Sequence, residues 1–203
     1  MTPARLDHLV VTAPSLAAGV DYVRAALGVE LQPGGRHPRM GTHNCLLRLG
    51  PASYLEVIAI DPEAEAELPR WFQLDRGGAP RLATWVARTG DIRAAAACSA
   101  DFGRIEPMAR GALRWEITLP EGGGLPFDGI APTLIQWRAK PHPAAMLADS
   151  GCALAGLEGF HPRAAELSGL LQAIGFQGPV QLAEGPPRLT ARIQTPSGLR
   201  RMG

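Results

Sequence analysis

The chain has 203 residues, of which 46% are hydrophobic, 19% charged and 5% aromatic, a balance that excludes disordered, fibrous and collagen-like classes. Twenty Lys+Arg against nineteen Asp+Glu leave a formal net charge of +1, and no basic run is present to track a phosphate backbone, so no nucleic-acid partner is expected. No apolar run approaches the roughly 20 residues of a membrane helix, so no membrane partner is expected either. The first residues run straight into an apolar strand without a signal-peptide core, and the three cysteines, Cys45, Cys98 and Cys152, are odd in number and far apart. The expectation is a cytoplasmic protein with reduced thiols.

In chain order, Leu6 to Thr12 is β-branched and apolar, which predicts a strand; Pro14-Ser15 then signals helix entry, with Ser15 as cap. Leu16, Val20, Val23 and Leu27 recur at helical spacing up to Gly28, where the helix stops. Val29 to Leu31, Thr42 to Leu49 and Ser53 to Ile60 follow as strands, so residues 5–61 read as a β-α-β-β-β module. A second module, 80–139, repeats the order: strand Leu82 to Arg88, cap Asp91, an alanine-rich helix stopped at Gly103, then strands Arg110 to Leu119 and Thr133 to Arg138. Between those last strands, Gly122-Gly123-Gly124 is a turn or a lid. A truncated third βαββ unit, 150–197, carries strand Cys152 to Leu157, a helix with Leu167, Leu170, Leu171 and Ile174, and strands Val180 to Leu182 and Leu189 to Thr195. The helix-ending glycines, Gly28, Gly103 and Gly175, lie 75 and 72 residues apart, which suggests internal duplication. The predicted fold is α+β, one domain spanning 1–203, in which the modules pair to share a core and their curved sheets leave a cavity.

Alternation on the first strand puts Leu6, His8, Val10 and Thr12 on one face; on the module's last strand Tyr54, Glu56, Ile58 and Ile60 share a face. A carboxylate among apolar residues is costly unless paired or bound to a cation. His8 and Glu56 are therefore candidate ligands for a divalent metal, and equally a buried His–Glu hydrogen bond or two polar residues at a wet sheet face.

Leu6-Asp7-His8-Leu9-Val10-Val11, Gly41-Thr42-His43-Asn44, Tyr54-Leu55-Glu56-Val57-Ile58-Ala59, Leu82-Ala83-Thr84-Trp85, Lys140-Pro141-His142-Pro143 and Phe160-His161-Pro162 together resemble the glyoxalase-like branch of the vicinal oxygen chelate superfamily. The resemblance implies paired βαβββ modules in a half-open barrel, with a divalent metal (Zn, Mn, Ni or Fe) held by inward residues of the first and last strands of each module. It implies His8 and Glu56 as the ligands of the first module. In the second, Thr84 stands at the position of His8 and Gln136 at that of Glu56, so Gln136 can offer an amide oxygen while Thr84 is a poor ligand. Two strong ligands remain where catalytic zinc sites keep three.

If the turn Gly50 to Ser53 pairs Leu49 with Tyr54, Glu56 faces Leu47 and His43 lies about 13 Å along the same face. His43, with Thr42 and Asn44, is then placed at the cavity mouth to bind substrate or move a proton, or bonds a loop carbonyl at a strand end; a one-residue slip of register turns it to the other face. Tyr54, Thr84 and Trp137 are further substrate-binding candidates, against core packing for Tyr54, Trp85, Trp115 and Trp137. His37, His142 and His161 each precede a proline and read as structural. Cys45 and Cys98 read as inert and buried. With no phosphate loop, dinucleotide fingerprint or nucleophile elbow, no organic cofactor is expected. Three readings follow. The first is a metal-assisted enzyme of isomerase, lyase or dioxygenase type acting on a small oxygenated metabolite, with Glu56 or His43 moving the proton. The second is a metal-free protein that binds or sequesters a small molecule. A homodimer with a vestigial site is the third.

Overall fold

In the computed structural model, which describes residues 3–66, 69–138 and 141–203, the first apolar run forms strand β1 (Arg5–Thr12). The Ser15 hydroxyl accepts from the Ala18 backbone N–H and opens helix α1 (Leu16–Leu27), which ends at Gly28 in the left-handed conformation. Strands β2 (Gln32–His37), β3 (Thr42–Arg48) and β4 (Tyr54–Ile60) complete the first module. The second repeats the order with β5 (Arg81–Arg88), α2 (Ile92–Ala96) capped by Asp91, β6 (Arg104–Arg110), β7 (Leu113–Leu119) and β8 (Thr133–Trp137). Ala139 and Lys140, where the predicted second module ends and the Lys140-to-Pro143 motif begins, lie outside the described residues.

Both modules join in one eight-stranded sheet of order β2-β3-β4-β1-β5-β8-β7-β6. The order is symmetric about the antiparallel pair β1–β5, and in each half the module's first strand runs parallel to its last. Alternation divides the side chains. Leu9, Val11, Leu55 and Val57 pack outward with Val23 and Leu27 of α1, each fully buried side chain contributing roughly 2 kcal/mol. Val10, Ile58, Ile117 and Ile135 point inward and meet Trp71 and Phe72.

Three expectations need correction. The third unit is not a truncated βαββ: β9 (Ala153–Phe160), α4 (Ala164–Ala173), β10 (Val180–Ala183) and β11 (Arg188–Thr195) are followed by a strand β12 (Gly198–Met202), after the short helix α3 (Pro143–Met146) has entered the unit. Its four strands form a separate sheet, β10-β9-β11-β12, in which the strand leaving α4 lies directly beside β9 in parallel. Leu157, Leu167 and Ile193 enter the outer core with Leu9 and Leu55, so this unit backs the large sheet. Residues Arg110 to Leu119 are not one strand: Arg110 is the last residue of β6, a turn follows at Gly111-Ala112, and β7 begins at Leu113. Gly122-Gly123-Gly124 is no lid: Gly123 is buried at φ 66°, and a Cβ there would fall 1.8 Å from the Arg70 carbonyl oxygen. Only glycine lets this turn press against the segment that carries Trp71 and Phe72.

Candidate active site

The inner face of the sheet lines a narrow cleft whose free volume is about 30 Å³, room for a water or two as it stands, so a small-molecule ligand requires its walls to open. Trp71, Phe72, Trp115, Ile117, Ile135 and Trp137 supply apolar walls; His8, His37, Asn44, Glu56 and Arg110 supply polar groups.

The pairing of β1 with β5 skips a residue between Leu6 and His8, a bulge that re-aims the intervening Asp7. Asp7 is fully buried and accepts from His8 Nδ1 at 2.7 Å, His142 Nε2 at 2.8 Å and Trp137 Nε1 at 3.0 Å, with Arg88 Nη1 3.7 Å away. Burial alone would raise this carboxyl, but the hydrogen bonds from His142 and His8 and their charges outweigh it and hold Asp7 well below the usual carboxylate range. An ionised Asp7 only accepts, so His8 Nδ1 carries a proton. His8 Nε2 then faces Glu56 Oε2 at 3.5 Å. Tyr54 stacks on the imidazole, ring centroids 4.5 Å apart; burial pushes its phenol well up, so it stays neutral.

Glu56 Oε1 accepts from Asn44 Nδ2 at 2.5 Å, and Asn44 Oδ1 accepts from the Gly35 N–H at 2.7 Å and from Arg110 Nη1 at 3.3 Å. Arg110 Nη1 also reaches His37 Nε2 at 3.1 Å. A guanidinium only donates, so His37 Nε2 accepts and its Nδ1–H donates to Thr42 Oγ1 at 3.1 Å. Burial lowers His37 to about 4, and it is neutral at pH 7. The Gly34-Gly35 pair admits these side chains: a Cβ on Gly34 would lie 2.0 Å from Asn44 Oδ1, and one on Gly35 3.0 Å from Arg110 Cδ.

His8, Glu56, Asn44, Tyr54 and Trp137 thus meet at one cavity, as expected from the sequence. His43 does not. Arg48 and not Leu49 pairs with Tyr54, so Leu46 faces Glu56; this one-residue slip brings Asn44 inward and puts His43 with Cys45 and Leu47 on the other face. Gln136 also points away, its amide donating to Gly90 O and accepting from the Ile92 N–H. Thr84 is buried beside the carbonyls of Trp85 and Ala131 and does not line the cavity. Registers give the true equivalents. His8 pairs with Val86 across the symmetry axis; Glu56 lies two residues beyond Tyr54, the partner of His8, as Ile135 lies two beyond Thr133, the partner of Val86. The second module therefore presents Val86 and Ile135 where the first presents His8 and Glu56. Two donors, with the Arg110 cation on the same wall, do not fit a catalytic metal centre, and among the described residues no group of three metal-ligating side chains converges.

Asp7, His37 and Arg110 were not anticipated. Asp7 had a signal, a carboxylate inside an apolar run; Arg110 had none, lying 73 residues from His37. His142 does cap a helix start, accepting from the Ala144 N–H, and in addition holds Asp7; His161 accepts from the Arg163 N–H in the turn before α4 but does not cap the helix. Trp85 is core and donates to Ile130 O. Cys98 is exposed and not buried, because α2 ends at Ala96 and leaves it in the following turn.

The family model described as a glyoxalase-like domain matches residues 6–175. A hypothetical protein from Staphylococcus aureus is similar in structure, with TM-score 0.59 and 13% identity over 91% of this chain and 88% of that one. A variant of Streptomyces coelicolor methylmalonyl-CoA epimerase in complex with 2-nitronate-propionyl-CoA matches at TM-score 0.46 and 23% identity, covering 68% of this chain and all of that one. Methylmalonyl-CoA epimerase from Mycobacterium tuberculosis gives 0.42 and 18%, over 69% and 91%. No curated protein matches. Among the described residues no helix is long and apolar enough to cross a membrane.

Proposed function

The chain belongs to the glyoxalase-like domain family, and on that premise we propose that its cavity binds a small oxygenated molecule and moves a proton on it without a catalytic metal. The observation that carries this is the buried line Asp7···His8···Glu56 at the cavity wall. Asp7 fixes the imidazole tautomer, leaving Nε2 as the atom that takes a proton from a bound molecule, in the manner of a base oriented by a third group. Glu56, steadied by Asn44, receives or returns a proton across the 3.5 Å gap. The aromatic walls exclude water and hold the apolar part of the ligand. Metal assistance is the weaker reading, since Val86 and Ile135 supply no donor.

The test is exchange of carbon-bound hydrogen for deuterium in D₂O, followed by NMR over a panel of small 2-oxo and 2-hydroxy acids and 1,3-dicarbonyls, with EDTA present. The expected result is exchange in at least one compound, abolished by His8→Gln. Exchange that appears only when Mn²⁺, Ni²⁺ or Zn²⁺ is added would restore the metal-assisted reading, and tight binding without exchange would favour a binding protein.

A further inference from the structure

We infer that the ligand carries a carboxylate, seated on the Arg110 guanidinium beside the indole N–H of Trp71, with its apolar remainder against Trp115 and Phe72. This rests on reading the cavity as a small-molecule site and names the class of molecule that fits it.

Arg110 ends β6 and faces the cavity with neutral partners only, His37 Nε2 and Asn44 Oδ1. Among the described residues no carboxylate lies within ion-pair distance of it, whereas Arg39 and Arg104, on and beside the same pair of strand edges, both pair with Glu106. Asn44 stands between Arg110 and Glu56, so the nearest acidic group in the cavity is already engaged through the amide. Trp71 is 4% exposed, lines the same cavity, and its Nε1 has no hydrogen-bond partner. A buried indole N–H without an acceptor is costly, and a ligand oxygen would satisfy it. The His37 ring, edge-on to both Trp71 at 5.2 Å and Trp115 at 6.3 Å, brings these two indoles next to the guanidinium. This end of the cavity therefore offers donors and one positive charge to an acceptor, inside aromatic walls, which is the complement of a carboxylate on an apolar or aryl body. A single amide side chain separates Arg110 from Glu56, so the carboxylate lies within a few bonds of the position where His8 and Glu56 act.

The experiment compares phenylacetate with its neutral isostere phenylacetamide, by quenching of tryptophan fluorescence and by calorimetry, on the wild type, Arg110→Gln and Arg110→Lys, with urea unfolding to confirm that each variant folds. The acid should bind about tenfold or more tightly than the amide in the wild type, as expected for a charge-assisted contact. The preference should vanish in Arg110→Gln and persist in reduced form in Arg110→Lys. Equal binding of acid and amide, a preference that survives Arg110→Gln, or failure of phenylacetate to bind at millimolar concentration would overturn the assignment. The acid preference without any deuterium exchange would sink the proton-transfer proposal and leave this one standing; exchange without the preference would do the reverse.

Discussion

Replacing His37 with glutamine should change how stability depends on pH more than it changes stability at pH 7. His37 is 7% exposed, and burial depresses its folded value to about 4, while in the unfolded chain it titrates near the ordinary 6.5. Between those values the unfolded state binds more protons, so the contribution is present above about 6.5 and is lost as pH falls toward 4. Linkage over that window gives a loss of about 2 kcal/mol between pH 7 and pH 5. Asp7, also depressed, loses its share only at more acidic pH, below the ordinary carboxylate range, and does not confuse the comparison. Urea unfolding followed by tryptophan fluorescence at pH 7, 6 and 5 measures the effect. With a slope of about 2 kcal/mol per molar urea, the midpoint of the wild type should fall by about 1 M relative to that of His37→Gln on acidification. Parallel midpoints across the three pH values would refute a buried neutral His37 and with it the assigned tautomer.

Asp7→Asn should cost about 3 kcal/mol or more, since an amide NH₂ would meet the N–H donors of His8, Trp137 and His142, and deuterium exchange should fall at least tenfold with the His8 tautomer no longer fixed; urea unfolding and the NMR assay check both. Gly34→Ala should destabilise by about 1–3 kcal/mol, because its Cβ meets Asn44 Oδ1 at 2.0 Å, and should weaken phenylacetate binding as Asn44 and Arg110 move; calorimetry reads the second effect. The double variant Val86→His with Ile135→Glu completes the symmetric ligand set and should take up one equivalent of Ni²⁺ or Mn²⁺ with a rise in melting temperature that EDTA reverses.

The central strands were legible because their signals are local: alternation in β1 and β4, the Ser15 and Asp91 caps, and the glycines that end the helices. Edge strands were harder. The β2 segment Gln32–His37 holds a proline and two glycines and no aliphatic residue, and β12 is exposed over its middle residues, so neither carries a strand-like apolar pattern. In the site, period-two alternation was enough for His8 and Glu56, since both lie on regular central strands. A bulge defeated it at Asp7, and a single residue of hairpin register exchanged His43 for Asn44. Gln136 failed for a related reason: aligning the modules by apparent motif missed by one residue the position that strand pairing assigns to Ile135. The Arg110–His37 contact joins the two edge strands of the curled sheet, a juxtaposition that only the closed tertiary arrangement creates.

Calorimetric titration of the chelator-treated wild type with Zn²⁺, Mn²⁺ and Ni²⁺ tests metal independence most directly. The two-donor site predicts no saturation at one equivalent with micromolar ion. A one-equivalent isotherm in that range, lost in Glu56→Gln, would contradict it and return His8 and Glu56 to the role of metal ligands.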